Sequence, residues 1–315
     1  MLRLRPDGTF TLVQLTDLHL KDGGPEDRRT LDLVAAVLAS EGPDLAVLTG
    51  DVVCGAESPD PSHALALVGE LLINTPWCLL FGNHDAEGSL DAAGLLAVAQ
   101  RFPTCLTEAG PGDLPGLGNQ RLPVVDDSGQ TQWMLTCLDS HGNAPPEVGG
   151  YAWIEEAQVA WYRRACAETA RDLGQAPPGL VFLHIPLPEF ASVWRTRPCR
   201  GRRLEAVCCP RRNSGLFAAL RQCGEAVAVF AGHDHLNDYE GELGGVRLCY
   251  GRATGYNTYG REGFPRGARL VRLHGGSRRW ESWLRLEGDV VEEELPLHHP
   301  ERPLPPAGSQ APCRR

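Results

Sequence analysis

Phe10-Thr11-Leu12-Val13-Gln14-Leu15-Thr16-Asp17-Leu18-His19 runs from an apolar stretch straight into a carboxylate and an imidazole two residues apart. The same event recurs along the chain. Leu45–Thr49 ends in Gly50-Asp51, Trp77–Phe81 in Gly82-Asn83-His84-Asp85, Leu180–Leu183 in His184, and Ala226–Phe230 leads on into Gly232-His233-Asp234-His235. Short apolar runs bounded by glycine and polar residues read as β-strands buried on both faces. Carboxylate, amide and imidazole are donors that hold hard-to-borderline cations. Five successive strand ends carry them.

Helical periodicity fills the gaps, at Thr30–Ser40 (apolar at Leu31, Val34, Ala35 and Leu38), Ser62–Ile73, Leu90–Arg101, Ile154–Leu173 and Gly215–Gln222. Strands are expected again at Arg121–Val125 and Gln132–Leu138. After His235 only strands follow, at Asp238–Leu243, Val246–Tyr250, Ala268–Leu273 and Trp280–Leu286. Alternating strands and helices predict an α/β core, and the all-β ending predicts an added antiparallel part. Such open sheets bind ligands at the carboxyl ends of their strands.

Asp17 and His19 are spaced to project to one side of an extended strand end, and His233 and His235 repeat that spacing around Asp234. Gly50 lets the chain turn sharply before Asp51, whose carboxylate can bridge two cations. Asn83 offers a neutral amide oxygen, while the adjacent His84 is free to point elsewhere. Each piece alone is common. All five in order, each at a strand end, form a specific signal.

Composition narrows the field. A net charge of −10 and a pI near 5.5 argue against a nucleic acid as stable partner, and 42% hydrophobic residues supply a sizeable core. Lys21 is the only lysine among thirty basic residues, a skew that fits high-GC codon usage. No apolar stretch approaches the roughly 20 residues of a membrane span. Met1–Pro6 lacks the apolar core of a signal peptide. Eleven cysteines without C-x-x-C spacing read as reduced thiols of a cytoplasmic protein. Residues 1–290 read as one domain. Residues 291–315, rich in Pro and Glu, read as a flexible tail.

In their order, D-x-H, G-D, G-N-H-D, H and G-H-x-H resemble the calcineurin-like metallophosphoesterase superfamily, from about Val13 to Leu286. The resemblance implies an α/β (α+β) fold, a four-layer αββα sandwich with two central mixed sheets flanked by helices. It implies a first metal held by Asp17, His19, Asp51 and His235. A second would be held by Asp51, Asn83, His184 and His233, with Asp51 bridging. The expected cofactors are thus two divalent or trivalent ions, iron, manganese or zinc. The expected function is phosphoester hydrolysis by in-line attack of a hydroxide held on two ions about 3.5–4 Å apart. His84 is the expected proton donor to the leaving oxygen. Asp85 is expected to orient an imidazole.

Four segments resemble a purple-acid-phosphatase-like branch: Leu183–Phe190, Asn213–Phe217, Gly232–Tyr239 and Tyr250–Tyr256. The branch favours phosphomonoesters over phosphodiesters, on a small phosphorylated substrate or a phosphoprotein. It also makes Arg252, His141 and Asn83 candidate substrate contacts, with Tyr256 and Tyr259 shaping the pocket. The chain departs from purple phosphatases three residues after Asp51, where they carry a tyrosine ligand and Cys54 stands here. No tyrosinate-to-iron colour is therefore expected. Seven arginines between Arg195 and Arg212 read as a solvated loop rather than a phosphate clamp. The rival readings are a scaffold that keeps the fold without the chemistry, and a metal protein built on cysteine sulfur.

Overall fold

The structure, a computed structural model, describes residues 1–300. One sheet has six strands in the order β14 (Val290–Glu292), β13 (Trp280–Leu286), β12 (Gly267–His274), β2 (Thr9–Leu15), β3 (Leu45–Thr49), β4 (Trp77–Leu80). The other has nine: β1 (Leu2–Arg3), β5 (Gln120–Val125), β6 (Thr131–Cys137), β7 (Gly179–Phe182), β9 (Ala226–Ala231), β11 (Val246–Tyr250), β10 (Glu240–Leu243), β8 (Cys199–Arg200), β15 (Leu297–His298). Both are mixed.

Side-chain alternation builds the layers. Leu45 and Val47 of β3 enter the core between the sheets, while Ala46 and Leu48 enter the core under the helices. In the second sheet Leu180 and Phe182, with Ala228 and Phe230, face the first sheet, while Val181, Val229 and Ala231 face outward. A one-residue slip would exchange these two sets, so burial on both faces fixes the register. Helices α1 (Pro25–Glu41), α2 (Pro61–Leu71) and α3 (Ala92–Ala99) cover the six-stranded sheet. Helices α4 (Glu156–Leu173), α5 (Glu189–Thr196) and α6 (Leu216–Cys223) cover the nine-stranded one. The result is the expected four-layer αββα sandwich.

Strands β2, β3 and β4 run parallel, as do β6, β7 and β9, so within each sheet the carboxyl ends of the motif-bearing strands share an edge. The C-terminal strands depart from expectation. They form no separate antiparallel part: β10 and β11 join the nine-stranded sheet, β12 and β13 the six-stranded one. A buried arginine ties the two together. Arg269 of β12 donates to the Tyr250 and Asp238 carbonyls (2.7 and 2.6 Å).

The first part of the tail expected from Val291 carries strand pairing. Residues 290–292 pair with β13, and Leu297–His298 pair with β8. Leu295 is buried against Leu284 and Leu286, which explains why this Pro- and Glu-rich stretch is held. Residues 301–315 lie outside the described residues.

Candidate metal centre

The five strand-end segments meet at one place. Asp17, His19, Asp51 and His235 offer donor atoms within 4.8 Å of one another, as do Asp51, His184 and His233, and every one of these residues is buried. Asp51 belongs to both sets. The Asn83 amide oxygen lies 3.2 Å from His184 Nε2, which adds it to the second set.

The donors crowd as ligands of common ions do. Asp51 Oδ2 is 3.2 Å from His184 Nε2 and 3.7 Å from His19 Nε2, and Asp17 Oδ1 is 3.4 Å from His235 Nε2. Atoms each about 2.0–2.2 Å from one ion fall about 3 Å apart. His19 Nε2, Asp51 Oδ2 and His233 Nε2 are buried without any hydrogen-bond partner. An orphaned buried carboxylate oxygen is costly. Three such atoms converging among nitrogen and oxygen donors fit two cations; besides a cation, only a protonated His184, 3.2 Å from Asp51 Oδ2, faces one of them.

Protonation agrees with that fit, by the protein's own charges alone. Burial holds His19 down at about 4 and His233 at about 3, so both imidazoles are neutral and ready to ligate. Burial alone would raise the Asp17 carboxyl, but the His235 hydrogen bond and charge hold it at about 2. Burial would lower His184, yet the Asp51 charge lifts it to about 10. A proton there sits on the nitrogen a cation would take, and cation binding would expel it.

The donors reach a common side by a route the spacing did not foretell. Asp17, His19, Asp51 and His233 have φ of 55°, 49°, 51° and 74°, in the left-handed region rather than an extended strand. Such conformations cost about 1–3 kcal/mol each and persist where surrounding contacts impose them. Here the carboxylate of Asp85 is one such contact. It accepts the backbone N–H groups of Gly82, Asp51 and Val53 at 2.7, 2.9 and 2.8 Å. Asp85 therefore orients two ligand loops and not an imidazole, which corrects its expected role. Burial and the nearby Asp51 charge push its carboxyl up to about 7 against the pull of those N–H groups. Gly82 must remain small: a Cβ there would stand 2.2 Å from Asp51 Oδ1.

The imidazoles are oriented by groups the sequence did not reveal. His184 Nδ1 meets the Thr49 carbonyl at 2.8 Å, and His235 Nδ1 meets the Thr258 hydroxyl at 2.5 Å, leaving each Nε2 toward the centre. Asn257 donates to the His19 carbonyl at 2.9 Å. Thr254 N and Gly255 N bond the Thr16 and Asp17 carbonyls, so residues 254–258 strap the first donor set. Neither Asn257 nor Thr258 carries a motif that would have found it.

His84 stands beside the donors without joining them. Its ring lies 5.3 Å from that of His19, its N–H bonds Asp51 Oδ1, and its Nδ1 meets Glu87 Oε2 at 2.7 Å. The side chain is 41% exposed, so the ring is accessible from solvent. Cys54 is buried, its thiol raised by that burial, and it enters neither donor set.

Other expected contacts are not brought in. Arg252 is 1% exposed, ion-paired with Asp238 and bonded to the Pro265 carbonyl, so it cannot meet a phosphate. His141 follows the right strand, and its neighbour Gly142 abuts Asn83, but its Nε2 faces Gln158 Oε1 at 3.0 Å. Tyr256 lies under the Arg29 guanidinium, beside α1. Tyr259 does reach the centre, stacked on His235 with centroids 4.4 Å apart. Tyr151 stands edge-on to His233 at 4.3 Å. In the arginine-rich stretch, Arg202 pairs with Glu292, Arg211 bonds the Val148 carbonyl, and Arg212 covers Trp153.

Comparison with known proteins places these observations. The sequence profile of the calcineurin-like phosphoesterase family matches residues 10–237. Probable inactive purple acid phosphatase 29 of Arabidopsis thaliana is 32% identical, over 90% of this chain and 81% of its own length. Phosphatase DCR2 of Saccharomyces cerevisiae is 31% identical over 91% of this chain, which spans 55% of that protein. A dimetal phosphatase from Danio rerio shares the fold at a TM-score of 0.58 with 15% identity, over 87% of this chain and 98% of that one.

Proposed function

Since this chain belongs to the calcineurin-like phosphoesterase family, we propose that it hydrolyses phosphoesters, with phosphomonoesters preferred, at the site shared by Asp17, His19, Asp51, Asn83, His184, His233 and His235. The observation that carries this reading is the convergence of three orphaned buried atoms, His19 Nε2, Asp51 Oδ2 and His233 Nε2, inside a nitrogen and oxygen donor set. Asp17, His19, Asp51 and His235 would hold one cation, and Asp51, Asn83, His184 and His233 the other. Iron, manganese and zinc all accept these donors. Two such cations, when bound, acidify a water and neutralise charge developing on phosphorus.

The chain's own groups supply the rest. His84 Nε2 gives a proton to the leaving oxygen, while Glu87 on Nδ1 fixes the ring and favours its protonated form. Asp85 holds the Asp51 and Gly82 backbone in place. With Cys54 where a tyrosine ligand would stand, no tyrosinate colour is expected with iron. The ten described cysteines, all free thiols, support a cytoplasmic location.

The second reading is a scaffold that binds without turnover, favoured by the "probable inactive" names of the Arabidopsis thaliana relatives. Against it, every donor and His84 is present. Hydrolysis of p-nitrophenyl phosphate and bis-p-nitrophenyl phosphate after loading with manganese, iron or zinc decides between them. Turnover of the monoester above the diester is expected, and no turnover with any metal removes the enzyme reading.

A further inference from the structure

Tyr259 is the one aromatic ring among the described large apolar side chains left exposed; the others are aliphatic or methionine. It is 54% exposed yet held at three points. Its ring stacks on His235 at 4.4 Å and 29°. Its hydroxyl donates to Glu205 Oε2 at 2.7 Å, and its carbonyl accepts from Arg266 at 2.8 Å. Both anchors are themselves fixed. Glu205 accepts the Leu236 N–H next to His235, and Arg266 is 6% exposed and also bonds the Thr258 carbonyl. An exposed ring whose conformational entropy is already lost offers a ready surface to a planar group.

Its position matters as much as its rigidity. The imidazoles form a continuous row, His84 to His19 at 5.3 Å and His19 to His235 at 5.1 Å, and Tyr259 continues the row past His235. The ring thus borders the first donor set at the His235 end of the row, with His84 at the other end. Tyr151, half-buried and edge-on to His233, borders the second set. Tyr256 shows the contrast, since the Arg29 guanidinium lies over its ring.

We propose that Tyr259 is a stacking wall that selects phosphoesters whose esterified group is a planar aromatic ring, with Tyr151 closing the opposite side. This rests on the phosphoester site described above and names its substrate class. No bond changes at Tyr259, and its effect is on binding.

Non-hydrolysable probes separate the two ideas. Phenylphosphonate and methylphosphonate carry the same head group and differ in the ring alone. Titration calorimetry on the manganese-loaded protein should show phenylphosphonate binding about two- to tenfold more tightly, the range a stacked aromatic pair supports. Tyr259→Ala should bring the ratio close to one, whereas Tyr259→Phe, which keeps the ring, should retain it. Equal binding of both probes to the native protein overturns the inference and leaves the phosphoester site standing. A Tyr259→Ala variant that weakens both probes equally also overturns it, because the ring would then only cover His235. Binding of neither probe overturns this inference together with the site.

Discussion

Asp85 shows how little of a residue's role its type discloses. The G-N-H-D pattern marks it for attention, but the three N–H groups it receives belong to backbone, which carries no signature in sequence. Asp27 acts in the same manner, gathering the N–H groups of Lys21, Asp22 and Gly23 beside His19. Asp85→Asn replaces one acceptor oxygen by an amide that faces donors, so cation affinity should fall about 10- to 100-fold. Chelator competition measures this, and unchanged affinity removes Asp85 as the organiser of the Asp51 loop. His84→Ala should leave the cation content intact and lower turnover by about 10²- to 10⁴-fold, as loss of a positioned acid does. Unaltered turnover would take His84 out of the reaction. Arg252 departs from expectation for a simple reason: a cation near a phosphate motif looks like a phosphate ligand until its partner, Asp238, is seen.

At the scale of elements, strands β3, β4, β7 and β9 are plain in the sequence because burial on both faces leaves nearly uninterrupted apolar runs, and β2 differs only in burying Thr11 and Gln14. The loops that follow them were legible as ligand carriers but not in conformation. The left-handed turns at Asp17, His19, Asp51 and His233 arise from contacts between segments far apart in sequence. The 254–258 strap was flagged at its start and unread at its end, where Thr258 reaches His235. Thr258→Val keeps the shape and removes the acceptor on His235 Nδ1. Affinity for the first cation should fall about tenfold or more, and equal affinity in native and variant protein would contradict the strap's role. Short helix α5 has no counterpart in the sequence analysis, although α6, equally short, is expected there at Gly215–Gln222.

For the whole molecule, the layers followed from alternation, while the allocation of late strands between the two sheets did not. That allocation rests on non-local pairings, such as β12 with β2 and β11 with β9, and on buried arginines that clamp them. Arg252→Ala would leave the fully buried Asp238 carboxylate only Arg202, through its backbone N–H and a guanidinium 3.5 Å away. A loss of about 3–5 kcal/mol in urea unfolding is expected, and a loss below 1 kcal/mol would show that Arg202 suffices. Cations that bind the folded chain alone raise stability by mass action. Chelation should therefore lower the melting temperature, reversibly on return of manganese.

The central claim is that two cations share Asp51 among nitrogen and oxygen donors. X-ray absorption at the metal edge, together with metal content per chain, tests it directly. Two ions per chain are expected, bound by nitrogen and oxygen alone, falling to one in His184→Ala. Sulfur bound to either ion, or a native chain that binds no metal, would contradict that claim.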